Sequence, residues 1–373
     1  MNVTIFRDYK EENWQSMEVY ADTLVKYLKR AHGDTIRIHE YVTLPSVSRF
    51  FPTQQKIARH IFRYIIDPLG AALQRADVYH ITDHAYAHLL AVLDPRKTIV
   101  TCHDLTTPYW TMGHVKSTTK RRIKYGVERW SLDFLKKAAR VVAVSESTKR
   151  NIIQTLHIEP DKITVIPEGV EKSFHPVRNK TRVRDVILRY RLPRKFILHI
   201  GTNYYNKNIE ALLSIFFYLA EHDPDICLVK AGEAWTDEQK QIIQSSSWEK
   251  RVIHAGFVAQ EDLAVLYSLA TALVQPSYSE GFGLTVLEAM TCGCPVVVSD
   301  VPALREMAGN AGLYIFPRPT KDDLEKIRAL ISNPRARETQ SRLGLARSKN
   351  YRWETCARRT YQTYQDVIAE NHS

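Results

Sequence analysis

The 373-residue chain is poor in the features that usually assign a protein at a glance. It has five cysteines, Cys102, Cys227, Cys292, Cys294 and Cys356, an odd number with no C-x2-C pair, so they outline neither a disulfide framework nor a zinc ribbon. That usage suits a reducing, cytoplasmic setting, and Cys292 and Cys294 read as structural. No apolar run approaches the roughly 20 residues of a membrane span. The opening MNVTIFRDYKEENWQ lacks the apolar core and cleavage site of a signal peptide and reads as a first strand. There is no short-period repeat and no low-complexity tract. HExxH, GxSxG and P-loop lysine signatures are missing and the histidines lack ligand spacing, so neither a metal nor a cofactor is expected. The D-x-D string Asp223-Pro224-Asp225 falls between a helix and a strand and reads as a solvated turn.

What is present is ordinary globular material, 44% hydrophobic and 25% charged, in a chain longer than one core usually grows. Two domains are expected, with function in the cleft between them. The net charge of +11 is unevenly placed. Residues 1–193 hold 32 Lys+Arg against 20 Asp+Glu, so the first half carries the whole excess. A basic half-molecule fits nucleic acid, an anionic membrane face or an acidic substrate, and charge alone does not choose among them.

Short β-branched apolar runs alternate with segments of helical period, the pattern of a parallel sheet covered on both faces. Strands are predicted at Val3–Phe6, Thr35–His39, Val78–Ile81, Thr98–Cys102, Val141–Val144 and Ile163–Ile166. The alternation restarts at Phe196–Ile200 and runs through Ile226–Lys230, Val252–Ala255, Ala272–Gln275, Pro295–Ser299 and Leu313–Phe316. The expected fold class is α/β with two successive Rossmann-like domains. The boundary is placed in the polar segment Asn179–Arg194, giving a first domain over 1–193, a second over 194–350, and a helix over 351–373 packing back on the first.

In such sheets ligands sit at the carboxyl ends of the strands. The loop after Ala272–Gln275 reads PSYSEGFGLTVLEAMTCGCPVV. Gly281 and Gly283 let backbone approach a ligand, and the helix beginning at Leu284 turns its free N–H groups and positive dipole end toward it. Glu280 precedes this anion site and Glu288 lies about one turn into the helix, so carboxylates flank a phosphate cradle and can hold sugar hydroxyls. Spacing alone leaves open that both are solvated charges.

The segment SEGFGLTVLEAMTCGCPVVVSD closely resembles the E-x7-E segment of the retaining glycosyltransferases of family 4, the group 1 class with the GT-B fold, and the resemblance extends over nearly the whole chain. ILHIGTNYYNKNIEALL resembles the first strand and loop of that family's C-terminal domain, with Gly201, Thr202 and Asn203 in the turn and Lys207 in the lysine slot that grips the donor diphosphate. Asn206 stands where relatives usually have arginine. LVKAGE, ending at Gly232 and Glu233, and the stretch Phe257–Val258 resemble segments bordering the nucleotide base. The resemblance implies a nucleoside-diphosphate-sugar as donor, contacted by Gly201, Thr202, Asn203, Gly232, Phe257, Val258, Phe282, Gly283, Leu284, Thr285 and Glu288. Lys207, Glu280 and His103 are the implied catalytic residues, His103 reaching the donor sugar from TIVTCHDLTTPYW across the cleft. Ser16, Asp83, His84 and Asp104 are expected on the acceptor side, where Gln15-Ser16-Met17 replaces a glycine-rich turn. Glu168-Gly169 stands where the family often has Asn-Gly. The implied reaction is transfer to a hydroxyl with retention, without metal, in glycan, polysaccharide or glycolipid synthesis.

Lys56, Arg59, His60 and Arg63 share a segment with Ile57, Ile61, Phe62 and Ile65 that reads as a basic amphipathic helix, and Lys116–Arg150 holds eleven basic residues against three acidic ones. Both fit a lipid-linked or phosphorylated acceptor at an anionic inner membrane face, and both equally fit a helix covering its own sheet. A catalytically silent partner subunit and a nucleic-acid binder stay open beside the enzyme, although nucleic acid is not the expected partner.

Overall fold

The computed structural model describes residues 1–8, 15–42, 60–105 and 119–372. Lys56, Ile57, Arg59 and Lys116 lie outside these residues.

All twelve expected strands form, with ends shifted by at most two residues. In the first unit they are β1 (Asn2–Phe6), β2 (Arg37–Tyr41), β3 (Val78–Ile81), β4 (Thr98–Cys102), β5 (Arg140–Ala143) and β6 (Ile163–Val165). They build one sheet in the order β2-β1-β3-β4-β5-β6, and every pair is parallel. In the second unit β7 (Phe196–Gly201), β8 (Cys227–Gly232), β9 (Val252–Gly256), β10 (Ala272–Gln275), β11 (Val296–Ser299) and β12 (Gly312–Ile315) follow the order β12-β11-β10-β7-β8-β9, again all parallel. Central strands such as β4, buried at all five positions, read as unbroken apolar runs because helices cover both faces of the sheet. The chain reverses its direction of growth between β1 and β3 in one sheet and between β7 and β10 in the other. Those switch points are where loops part and a ligand can enter.

The chain divides after Gly169, earlier than the boundary placed near 193, and Arg352–Ser373 rejoins the first unit. The polar segment around 179–194 is a helix, Lys180–Tyr190, capped by the Asn179 side chain, which accepts from the Arg182 amide. Its basic residues are not linker: Arg189 pairs with Asp262 at 2.7 Å on the second unit's helix Gln260–Leu269. The helix Trp353–His372 returns to the first unit and lays Trp353, Cys356, Ala357, Tyr364 and Val367 into a core shared with Tyr20, Leu24, Tyr27 and Leu28 of the helix Gln15–His32. Large apolar side chains buried this way contribute roughly 1.5–3 kcal/mol each. The Tyr364 hydroxyl shares a 2.7 Å hydrogen bond with His80 Nδ1, and burial pushes the His80 imidazole down to about 3, so it is neutral at physiological pH. The five cysteines are free thiols, with Cys292 and Cys294 buried and burial pushing Cys294 up to about 12, as befits packing groups.

Candidate functional site

At the second unit's switch point, the loop after β7 and the loop after β10 are joined residue by residue. The rings of Tyr205 and Tyr278 stack with centroids 5.0 Å apart. The Asn206 side-chain amide donates to Ser279 O at 3.3 Å, while Asn206 O accepts from the Tyr278 amide at 2.8 Å. Lys207 Nζ donates to both oxygens of Glu280, at 2.8 and 3.0 Å. Asn206 therefore uses its side chain to brace the loop, a role to which its short amide is suited. The Glu280 carboxylate also accepts from Ser277 Oγ at 2.7 Å and from Gln275 Nε2 at 3.1 Å. Burial alone would raise its pKa, but the Lys207 charge and these donors outweigh burial and hold it below the ordinary value. Glu280 is thus an ionised carboxylate at neutral pH.

Three residues on, Gly283 has φ +94°, and a Cβ there would press to 2.8 Å from Leu304. Both constraints call for glycine. From this residue springs the helix Leu284–Thr291, with no side chain capping it. Val286 and Leu287 already donate to Gly283 O, whereas Leu284 and Thr285 precede the first turn's bonds and present their amides outward from the helix. Phe282 is buried, edge-on to Tyr351 at 5.9 Å. Glu288 Oε2 accepts from the buried Tyr267 hydroxyl at 2.7 Å, so its reach is fixed from the helix Gln260–Leu269. Glu280 and Glu288 are accordingly held by different partners.

The loops after β7 and β8 are cross-braced. Asn203 N donates to Glu233 Oε2 at 2.7 Å and its side-chain amide donates to Ala234 O. Gly232, at φ +108°, packs on Gly201 O with no room for a side chain. Gly201, Thr202, Asn203 and Gly232 therefore share one edge of the site. His254 Nε2 donates to Gly232 O at 3.1 Å from β9, whose end leads through Gly256 into an exposed Phe257 and half-buried Val258.

Beneath this edge lie two groups that the motifs did not single out. Lys230 is fully buried, yet its ammonium meets Glu233 O and the Trp235 ring, 5.0 Å away. Burial pulls it down to about 8, with Glu233 opposing that shift. His199, its register partner on β7, donates from Nδ1 to Val274 O at 3.0 Å, and burial, helped by the positive charges of Lys230 and Lys207, lowers it to about 4. A lysine and a histidine inside strands otherwise as apolar as FILHIG and CLVKAG are the signal that would have found them.

The remaining expected residues belong to the first unit. His103 is buried and fully engaged: Nδ1 donates to Glu168 Oε1 at 3.0 Å and Nε2 donates to Thr82 O at 2.9 Å. Two acceptors require two protons, and although burial opposes the charge, Glu168 and Asp83 raise the His103 pKa. Glu168, noted in the sequence only as a departure, is thus the partner that charges His103. His84 stands between two carboxylates, Nδ1 3.0 Å from Asp83 Oδ1 and Nε2 3.8 Å from Asp104 Oδ1. Asp83 is buried, which would raise its pKa, yet His84, His103 and the Ala85 amide keep it well below the carboxylate range. Ser16 is exposed in the first turn of the helix Gln15–His32. Asp223 pairs with Lys195 at 2.5 Å and accepts from the Asp225 amide, so the D-x-D string forms a turn. Among the described residues no His, Cys, Asp and Glu cluster has the arrangement to hold a metal ion.

Residues 186–347 match the family model of glycosyl transferases group 1, and residues 16–174 match that of glycosyltransferase family 4. The chain is 30% identical over 292 residues to O-antigen chain mannosyltransferase B of Escherichia coli, covering 77% of this chain and 74% of that protein. Its fold is similar to that of sucrose-phosphate synthase from Thermosynechococcus elongatus, with a TM-score of 0.74 at 20% identity over 99% of this chain and 100% of that one. It is likewise similar to Anabaena HepE, solved in complex with UDP and glucose, with a TM-score of 0.73 at 16% identity over 97% and 99% of the two chains.

Proposed function

The chain belongs to the group 1, family 4 glycosyltransferases, enzymes of glycan and polysaccharide biosynthesis with the two-domain α/β GT-B fold, and from that premise we propose that it moves a sugar from a nucleoside diphosphate to an acceptor hydroxyl with retention at the anomeric carbon and without a metal ion. The observation that carries this reading is Lys207, locked on Glu280 three residues before the uncapped helix at Gly283. Departure of the sugar leaves a diphosphate that gains negative charge as the glycosidic C–O bond breaks. A fixed ammonium and the Leu284 and Thr285 amides stabilise that charge, and because they are already oriented they need little reorganisation. The acceptor's proton passes to the leaving phosphate, so no side-chain base is required. Glu280 orients the sugar and Glu288 the ribose. His103, charged by Glu168 and donating to Thr82 O, is the first unit's candidate donor to a sugar hydroxyl.

Relatives support the chemistry of the ligands: HepE was solved with UDP and glucose, and the Escherichia coli relative is a mannosyltransferase of O-antigen chains. The acceptor in this reading is a glycan hydroxyl, lipid-linked and presented at an anionic membrane surface. Titration calorimetry with UDP and GDP in EDTA tests the donor half. Binding of one of them, weakened at least about tenfold by Lys207→Ala, is expected. Strict dependence on added magnesium would remove the metal-free reading, and a product of inverted anomeric configuration by NMR would remove retention.

A further inference from the structure

The loops that follow β7, β8, β9 and β10 hold a single Lys or Arg among them, Lys207, and its ammonium is already paired with Glu280. A nucleoside diphosphate brings several negative charges, so these loops by themselves are short of positive charge for it. The missing charge lies inside the sheet. Lys230, on β8, is fully buried, and its ammonium donates to Glu233 O and lies 5.0 Å from the centre of the Trp235 ring. Neither partner is an anion. Glu233 is the one acid that acts on Lys230, and its exposed carboxylate is taken up by the Asn203 amide at 2.7 Å. Among the described residues Lys230 therefore has no ion-pair partner. A buried ammonium without a counter-ion is unfavourable, and such groups concentrate where a ligand makes use of them.

The hydrogen bond to Glu233 O brings the Lys230 charge to the carboxyl end of β8, beneath the turn in which Gly232 packs on Gly201 O and Asn203 reaches Ala234 O. Each neighbouring element turns a titratable group toward this corner. From β7 comes the register partner His199, fully buried, donating from Nδ1 to Val274 O with Nε2 unpartnered. From β9 comes His254, which donates to Gly232 O at 3.1 Å and lies with its ring 6.4 Å from that of Trp235. Lys207 and Glu280 act on the same spot through His199. Burial brings His199 down to about 4, so it stays neutral in neutral and alkaline solution, whereas Lys230, brought down to about 8, gives up its proton there. An anion at this corner favours the charged ammonium and raises its pKa, so the anion and the proton bind together.

We propose that Lys230 is a positioning residue of the donor edge: its ammonium, buried without a counter-ion, supports a bound nucleoside diphosphate from beneath the loop 232–235 and links that binding to a proton. This rests on the donor half of the proposed function. The test is titration calorimetry of the full chain with UDP and GDP at about pH 7, 8.5 and 9.5, each in two buffers of different ionisation enthalpy, so that the difference in heat counts protons. The terminal phosphate, with a pKa near about 6, is already ionised in the alkaline runs. The Lys230 contribution is full below its free value of about 8 and is lost as pH rises through the higher bound value. If binding raises that pKa by about one unit, roughly half a proton is taken up at about pH 8.5 and affinity falls about sevenfold between about pH 7 and 9.5. Lys230→Met should bind about tenfold more weakly at about pH 7, take up no proton, and approach the parent's affinity by about pH 9.5. A purely structural lysine would instead weaken the variant equally at every pH and leave the uptake in place, which overturns the proposal. Should the variant fold poorly, the parent alone decides: nucleotide binding without proton uptake at about pH 8.5 overturns the proposal and leaves the donor reading standing. Absence of binding by either nucleotide at every pH removes both.

Discussion

Of all the contacts in the second unit, the Lys207–Glu280 pair offers the sharpest quantitative test. Each residue is to be replaced by alanine, singly and together. Lys207 retains 21% and Glu280 11% of side-chain exposure, so each is shielded but not sealed. Breaking a sealed ion pair costs about 3–5 kcal/mol because the surviving charge is left uncompensated. Partial exposure lets water solvate the survivor, which brings the expectation to about 2–3 kcal/mol for Glu280→Ala. In a unit of this size 1 kcal/mol moves the midpoint by about 2–4 °C, so the second unit's transition should fall by about 4–12 °C. The double variant strands no charge, and its loss should stay near that of the larger single variant, with a coupling of about 1.5–2 kcal/mol. The pH dependence has a definite sign. Glu280 has a lowered folded-state pKa, so its stabilisation is present above the unfolded value of about 4.3 and disappears as pH falls through the lower folded value. Differential scanning calorimetry of the four proteins between acid and neutral pH reads all of this. Single-variant losses that simply add at neutral pH, or a Glu280→Ala deficit unchanged in acid, would refute the pairing argument.

Glu168→Gln should lower the His103 pKa, seen by NMR titration of the imidazole. In the parent the His103 contribution is full below the unfolded value of about 6.5 and is lost as pH rises through the raised folded value, and an unmoved titration would show that Glu168 does not supply the charge. Gly232→Ala should cost more than about 2 kcal/mol, since a left-handed φ and a collision with Gly201 O act together, and a second-unit melting point equal to the parent's would contradict that geometry.

Much of this fold was legible because covered parallel sheets leave a blunt signature: TIVTC and VVVS can hardly be anything but strands buried on both faces. The site was legible where its chemistry is local, as in Glu280, Gly283 and Glu288, which one loop and helix bring together. It was illegible where partners are distant in sequence. Nothing in NYYNKN announces that Asn206 and Lys207 will be taken up by Ser279 and Glu280, or that Glu168 will pair with His103, because those contacts depend on which loops the sheet order makes neighbours. The polar stretch 179–194 resembled a linker for a related reason. An exposed helix whose basic side chains lie along its neighbour has the composition of a connector until its partner Asp262 is known. Ile61 and Ile65 were legible as part of a basic amphipathic segment, whereas the exposed Leu69 and Leu73 lie beyond Asp67-Pro68, a pair that reads as a break in the helix and not as its continuation.

The helix Trp353–His372 also sets an order in time. The chain leaves the first unit at Gly169, builds the whole second unit, and returns at Arg352, where Trp353 settles on Gly169 so closely that a side chain at 169 would not fit. The second unit is therefore one uninterrupted stretch and can finish folding as soon as it has been synthesised. The first unit, although begun earlier, waits for Trp353, Tyr364 and Val367 before the faces of Tyr20, Leu24 and Leu28 are covered. Domains usually mature in the order of their synthesis. In this chain the nascent first half emerges with an open apolar face, and the half made later is the first able to close.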